Sequence, residues 1–364
     1  MTAVISWSNQ GQIASQIQAI RSRQRGLAGI RAAVVYGGLS AEDRLYISRS
    51  PVEQMSITAV TRALAGLGVP AVVLDPCERS FLRSLLDFEV IVPALHGPYG
   101  EDGRLQGMLD YLRRPYCGSG VAASAVAADK ALCKLAMAGL DVATPRWLLA
   151  DAAAAAFASQ FAHVMVKPRL GGSSVGMSLV SAGQGLDDAI SAATAIDPVG
   201  ALIEEFVPGL PVTVGLLELP AGVLMLPPLA VQPRGNTLYD AETKLDSAGA
   251  RNVSYSSANL AAPILRQLEE QSLKLWHGIG CHGIARIDFI VAETGIFALE
   301  VNTVPGLSYE SNFALAAYEA GLGHSDIVLA LLLEAVHRSD QDVPLPVVSV
   351  ADLGTARPGE RARR

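Results

Sequence analysis

A chain of 364 residues, half of them hydrophobic, can build two or three cores, and a formal net charge of -7 gives no field that would draw a nucleic-acid backbone. No apolar run approaches the roughly 20 residues needed to cross a bilayer, so neither nucleic acid nor membrane is an expected partner. Four scattered cysteines without paired spacing, and no charged-then-apolar leader, predict a reduced, cytoplasmic protein.

Residues 1–29 are polar, rich in Gln, Ser and Arg, and predict an appended helix or loose arm. Over 30–118, strand-like runs ("AAVVYGG", "AVVLDP", "EVIVPALHG") alternate with helical stretches ("SITAVTRALAGLG", "LQGMLDYLRR"), the mark of a wound parallel α/β sheet. A small α+β unit is expected over 119–209. There Asp129 caps a helix through "KALCKLAMAGL", the Ala run at 152–156 is helical, and "HVMVKP" and "VGMSLV" are strands flanking a glycine loop. A mixed α/β unit follows over 210–338, and the aperiodic, proline-bearing stretch 339–364 predicts disorder.

The stretch "GIFALEVNTVPG" reads as a strand, yet places Glu300 and Asn302 on one face. Upstream, "GIARIDFIVAE" puts Arg286 and Asp288 on one face by the same alternation. A three-residue hairpin loop, Glu293-Thr294-Gly295, closed by Ala292 with Ile296, sets Asp288 opposite Glu300 and Arg286 opposite Asn302. The reverse face then collects Ile287, Phe289, Val291, Phe297, Leu299 and Val301. Two facing carboxylates repel unless a cation stands between them. Two readings stay open: Arg286 supplies the charge in a structural ion pair, or a magnesium ion binds through oxygen ligands and joins the acids to a substrate's phosphates.

A phosphate partner is present in "VMVKPRLGGSSVGM". Lys167 ends a strand, and a loop carrying Gly171, Gly172, Ser173, Ser174 and Gly176 can bring N–H and hydroxyl donors to an anion. The same loop contains a G-x-S-x-G match, but a strand rather than a helix follows the serine, which argues against a hydrolase elbow. Lys130 lies in the first turn of its helix, where the dipole disfavours a cation and an anionic ligand would compensate. "GSGVAA" at 118–123 matches G-x-G-x-x-A but follows only a short run, so a tight turn is the better reading than a dinucleotide fingerprint.

Taken in order, "GGLSAE", "LHGPYGEDGRLQGMLD", "PYCGSGVAASAVAADK", "VKPRLGGSSVGM", "ARID" and "LEVNTVPG" resemble the D-alanine--D-alanine ligase family of the ATP-grasp superfamily, from about residue 31 to 336. The resemblance implies an ATP-grasp fold: an N-terminal wound parallel sheet domain followed by two α+β domains with ATP between them. It implies that Lys130, Lys167 and Lys244 contact phosphates with Ser173 and Ser174, and that Glu204 lies near the adenine. It further implies that Asp288, Glu300 and Asn302 hold two magnesium ions, with manganese an alternative. Glu42 matches the acid that receives the first amino acid's ammonium group, and Arg286 and Gly306 match the groups that hold the oxyanion. Ser311 matches a contact to the second substrate's carboxylate, and His96 falls in the same cleft. A homodimer is implied as well. His163, His277, His282, His324 and His337 have no such support and are read as surface or helix-end residues.

Four positions depart from the family pattern. "SAEDRLYIS" alters the surroundings of Glu42, Pro211 stands where a ribose-binding glutamate is usual, Leu245 replaces a tyrosine beside Lys244, and "PGLSYESNFA" alters the neighbours of Ser311. The expected function is an ATP-dependent ligase joining two amino acids, D-alanine the first, through an acyl phosphate. The alternatives are a ligase with a different acceptor in a specialised pathway, a nucleotide-binding relative without catalysis, and a dinucleotide-dependent oxidoreductase.

Overall fold

The computed structural model describes residues 4–40, 43–44, 47–48, 51–172, 175–181, 184–233 and 253–339. Strand β1 (Val4–Ser6) and helix α1 (Gln10–Arg23) come first, then β2 (Ala32–Val35), α2 (Ser56–Gly66), β3 (Ala71–Leu74), β4 (Val90–Pro93) and α3 (Arg104–Leu112). The expected parallel sheet forms in the order β3-β2-β4, with every residue of the central β2 buried. A parallel strand covered on both faces must be apolar throughout, as "AAVV" is.

The next unit runs α4 (Val121–Ala128), α5 (Lys130–Gly139), β5 (Trp147–Leu149), α6 (Ala154–Ala158), β6 (His163–Pro168), β7 (Ser178–Ser181), α7 (Leu186–Ile196) and β8 (Ala201–Glu205). Its sheet has the order β5-β8-β6-β7, all antiparallel. The alanines of α6 and α7 let both helices lie close on Val164, Val166 and Ile203.

The largest sheet contains β9 (Leu210–Leu219), β10 (Gly222–Met225), β11 (Leu229–Pro233), β12 (Val253–Ser257), β13 (Ile284–Ala292) and β14 (Gly295–Asn302). Helix α8 (Ala262–Ile279) precedes β13, and α9 (Asn312–Glu319) and α10 (His324–Ser339) follow β14. β9 is its spine, pairing with β13 along its length. The seventh strand is β1, parallel to β10 with Ile5 opposite Leu224. The N-terminal segment is therefore built in rather than loose. Ile13, Ile17 and Ile20, one face of α1, are buried in the core that α10 and α2 share, and Arg21 reaches Asp326 at the start of α10 with two hydrogen bonds of 2.7 and 2.8 Å.

No single described helix is long and apolar enough to cross a membrane; α9 and α10 pass that test only together, bent by 102°. Of the stretch 339–364, expected to be disordered, Ser339 ends α10 and 340–364 lie outside the described residues.

Candidate active site

The hairpin β13–β14 carries the acids. Asp288 pairs with Glu300 and Arg286 with Asn302, as the alternation predicts. The route to that register differs from expectation. The turn is two residues, Glu293-Thr294, closed by Ala292 with Gly295, whose φ of +142° suits glycine. One residue is recovered by an irregularity between Asp288 and Phe289, where Leu299 is left over as a bulge. Parity flips at that bulge, so the buried residues of β14 are Ile296, Ala298 and Val301, whereas Phe297 and Leu299 are only partly covered. Phe297 and Leu299 thus do not belong to the core face assigned from strict alternation.

Arg286 stands among the acids. Its Nε and Nη2 donate to Asp288 Oδ1 and Oδ2 at 3.1 and 3.0 Å, and Nη2 lies 3.8 Å from Glu300. One guanidinium lies beside two carboxylates whose side chains are 26 % and 36 % exposed. The carboxylate and amide oxygens on this rim suit a hard divalent ion. Asn302 Oδ1 accepts the Val304 N–H at 2.9 Å, which fixes the amide at the mouth of the following loop. In that loop the Leu307 N–H donates to Ser56 Oγ at 3.0 Å, tying the Gly306 segment to the start of α2. Ser311 is buried and caps α9, accepting from the Ala314 N–H at 3.2 Å and donating to the Ser308 carbonyl at 2.8 Å. A helix N-terminus suits a carboxylate.

Helix α5 lies against β14, which brings the lysines of the small unit toward the hairpin. Asp129 caps it as expected, accepting from the N–H groups of Ala131 and Leu132 at 3.0 and 3.2 Å, and is gripped in turn by Arg169. Lys130 Nζ donates to the Gly171 carbonyl at 2.5 Å, at the edge of the glycine loop. Four residues on, Lys134 points inward and meets Glu204, which also receives Lys167 Nζ at 2.5 Å. Burial alone would raise the Glu204 carboxyl, but the two ammonium groups outweigh it and hold the acid below its ordinary value. Burial lowers the Lys134 ammonium.

His96 lies at the end of the parallel sheet. Its N–H donates to Asp43 Oδ1 at 2.7 Å, its carbonyl accepts from Ser40 Oγ at 3.0 Å, and its Nδ1 is 3.6 Å from Glu101. Asp43 is buried, which raises its carboxyl above the usual range despite these donors. The structure thus gathers Arg286, Asp288, Glu300 and Asn302 on one rim, and Lys167 with Glu204 beside Lys130. Gly306 and Ser311 follow the rim in the chain, and His96 stands on a separate loop. Glu42, Ser173, Ser174 and Lys244, and with them Leu245, lie outside the described residues. Sequence reasoning missed Lys134 and Asp43; the spacing of Lys134 four residues after Lys130 was the one available signal.

The chain matches the family model for the D-ala D-ala ligase C-terminus over residues 142–333 and that for the N-terminus over 68–119. A D-alanine--D-alanine ligase of Albidiferax ferrireducens is 36 % identical over 312 residues, covering 84 % of this chain and 87 % of the relative. One from Gloeobacter violaceus is 35 % identical over 298 residues, covering 78 % of this chain and 96 % of its own length. In fold, the chain is similar to a D-alanine--D-alanine ligase from Bacillus anthracis complexed with ATP, with a TM-score of 0.70 at 22 % identity over 86 % of this chain and 99 % of that one. It is likewise similar to a D-alanyl-alanine synthetase A from Vibrio cholerae, with a TM-score of 0.73 at 22 % identity, covering 85 % and 98 %. With both family models matched and relatives above one-third identity spanning most of its length, the chain belongs to the D-alanine--D-alanine ligase family, ATP-dependent ligases of the ATP-grasp fold.

Proposed function

We propose that this protein joins two amino acids by a peptide bond at the expense of ATP, with D-alanine as the first substrate. One oxygen of the first amino acid's carboxylate attacks the γ-phosphorus of ATP, and the bond to ADP breaks. This makes a poor electrophile into an acyl phosphate. The second amino acid's neutral amine then attacks the carbonyl carbon and loses a proton, and the carbon–oxygen bond to phosphate breaks.

Each expected site residue has a part in this reading. Lys130 and Lys167, with Lys244, Ser173 and Ser174, meet the phosphates, and Glu204 lies near the adenine. Glu42 and His96 hold the first amino acid. Arg286 and the Gly306 backbone N–H stabilise the oxyanion, where each such preorganised donor supplies about 3 kcal/mol. Ser311 receives the second carboxylate at the start of α9. Asp288, Glu300 and Asn302 would hold two magnesium ions, or manganese in their place, which supply positive charge to the phosphates when bound. The glycine loop, closing, would keep water from the acyl phosphate. By the same resemblance the enzyme works as a homodimer in the cytoplasm.

The observation that carries the reading is the directly facing pair Asp288 and Glu300 with Asn302 and Arg286 on the same rim. A second reading has its own support: Leu245 and "PGLSYESNFA" depart from the family around the acceptor, and Pro211 removes a ribose contact. Pro211 lies near the start of β9, opposite Ile290 and outside the part of β9 that pairs with β11, a place where a missing N–H is tolerated. These departures favour an acceptor other than D-alanine, in a specialised pathway. Purified protein with ATP and Mg²⁺ should release phosphate only when amino acids are added, and mass spectrometry of the products across an amino-acid panel should identify the acceptor. ATP binding with no amino-acid-dependent turnover anywhere on that panel would refute the ligase reading.

A further inference from the structure

Three ionisable side chains with no part in the proposed chemistry converge where β9 ends, β13 begins and α10 passes over both. Glu218 is the penultimate residue of β9, His282 lies in the turn before β13, and Glu334 is on α10. One potential ligand atom from each lies within 4.8 Å of the other two. His282 Nδ1 is 3.5 Å from Glu218 Oε2 and 3.8 Å from Glu334 Oε1.

Their setting is constructed. The Gly283 N–H donates to Glu218 Oε2 at 2.9 Å, and the His282 N–H donates to Ser119 Oγ at 3.1 Å. Gly283 has φ +66°, and a Cβ there would come within 3.1 Å of the Gly118 backbone and 3.3 Å of Glu334 Oε2. Arg338 Nε lies 3.3 Å from Glu334 Oε1, and its Nη2 donates to the Tyr116 carbonyl at 2.7 Å. Both carboxylates are thus oriented by outside donors, as ligands to a metal commonly are.

The Glu334 side chain is only 10 % exposed, and its Oε2 is buried with no hydrogen-bond partner among the described residues. That oxygen lies against Gly283, the residue after His282, while Oε1 stands between Arg338 and His282. A buried carboxylate oxygen without a donor is expensive unless a cation meets it. Arg338 is committed to the other oxygen. A donor set of one imidazole and two carboxylates suits zinc-class ions, whereas magnesium favours oxygen alone. His282, with 46 % of its side chain exposed, leaves a path to solvent.

We propose that Glu218, His282 and Glu334 bind one divalent transition-metal ion of the zinc class, joining β9, β13 and α10 beneath the linker that carries Ser119.

The test uses the full chain, stripped with chelator, given equimolar Zn²⁺ in a large excess of Mg²⁺ that occupies the oxygen-rich rim, and desalted. Elemental analysis should find one zinc per chain, and zinc should raise the melting temperature. His282→Ala and Glu334→Gln should each weaken zinc binding by at least about tenfold, while Asp288→Asn retains it. His282 is half exposed, so its removal opens no core, and its variant carries the test should Glu334→Gln fold poorly. No retained zinc, or zinc retained equally by His282→Ala, would overturn the proposal and leave an ion cluster of two acids, a histidine and Arg338.

Discussion

Lys134 and Glu204 form an ion pair in which the two side chains are 1 % and 3 % exposed. The lysine also donates to Thr144 Oγ1 at 2.6 Å, so it ties α5 to the strand that carries Glu204 and to the segment entering β5. Glu204 in turn holds Lys167 at the foot of the glycine loop. Lys134 therefore positions Lys167, the proposed phosphate contact, through the carboxylate between them. Lys134→Met should cost about 3 kcal/mol in urea unfolding, since it strips one partner from a buried charge. It should also raise the KM for ATP, and Lys134→Arg should fail to restore it because the space is fully occupied.

Asp288 is claimed by Arg286 in this structure, with a guanidinium where a divalent ion would also bind. The two demands compete, which gives two substitutions opposite signatures. Asp288→Asn should lower kcat/KM at least about 100-fold, because the charge it helps to bring is worth several kcal/mol in the transition state. It should also raise the Mg²⁺ concentration needed for half activity. Arg286→Met should lower kcat but reduce that Mg²⁺ requirement. A Mg²⁺ titration of both variants decides the matter, and a requirement raised in both would show that no competition exists.

The parallel sheet, the order of elements and the facing acids were legible because each rests on local periodicity. The hairpin shows the limit of that reasoning. A turn one residue shorter than expected and a bulge at Leu299 offset each other, so Asp288 still meets Glu300 while Phe297 and Leu299 leave the core face. Nothing in "GIFALEV" announces a bulge, and β13, which pairs with β9 without interruption, carries none. Lys134 was hidden for a related reason. A lysine in a helix is ordinarily solvated, and only Glu204, brought in by sheet pairing, gives it a buried partner. The strand Val4–Ser6 is three residues long and pairs with Gly222–Met225, a partner far along the chain that no local pattern names. The isoleucines of α1, at helical spacing, were the readable half of that segment.

Gly103 couples the parallel sheet unit to the small unit. Its φ is +88°, and a Cβ there would stand 2.7 Å from the Val121 carbonyl at the start of α4. Gly103→Ala should therefore destabilise by at least about 2 kcal/mol, combining left-handed strain with a backbone clash. Gly139 provides the contrast. It ends α5 with open space within 4 Å of where a methyl would stand and no positive φ, so Gly139→Ala should be neutral or stabilise by about 0.5 kcal/mol. Urea midpoints of the two variants should move in opposite directions or one alone should fall.

His324 begins α10 with its ring 4.9 Å from that of Tyr309 and its Nδ1 3.0 Å from Tyr318 Oη. Burial lowers its pKa to about 4 from an ordinary value of 6.5. Between those values the unfolded chain holds a proton that the native state does not, so stability rises with pH across the window. The contribution is fully present above pH 6.5 and is lost as pH falls through about 4. Its size is up to about 3 kcal/mol, reduced by the solvent that reaches part of the ring. His324→Gln cannot titrate, so the difference between wild-type and variant unfolding free energies should shrink steadily from pH 7 to pH 4. Because Tyr309 lies two residues before Ser311, the same acidification should loosen the segment assigned to the second substrate, and KM for that substrate should rise in the wild type more than in the variant. A difference that stays constant with pH would mean that His324 is protonated in the native state as readily as in the unfolded one.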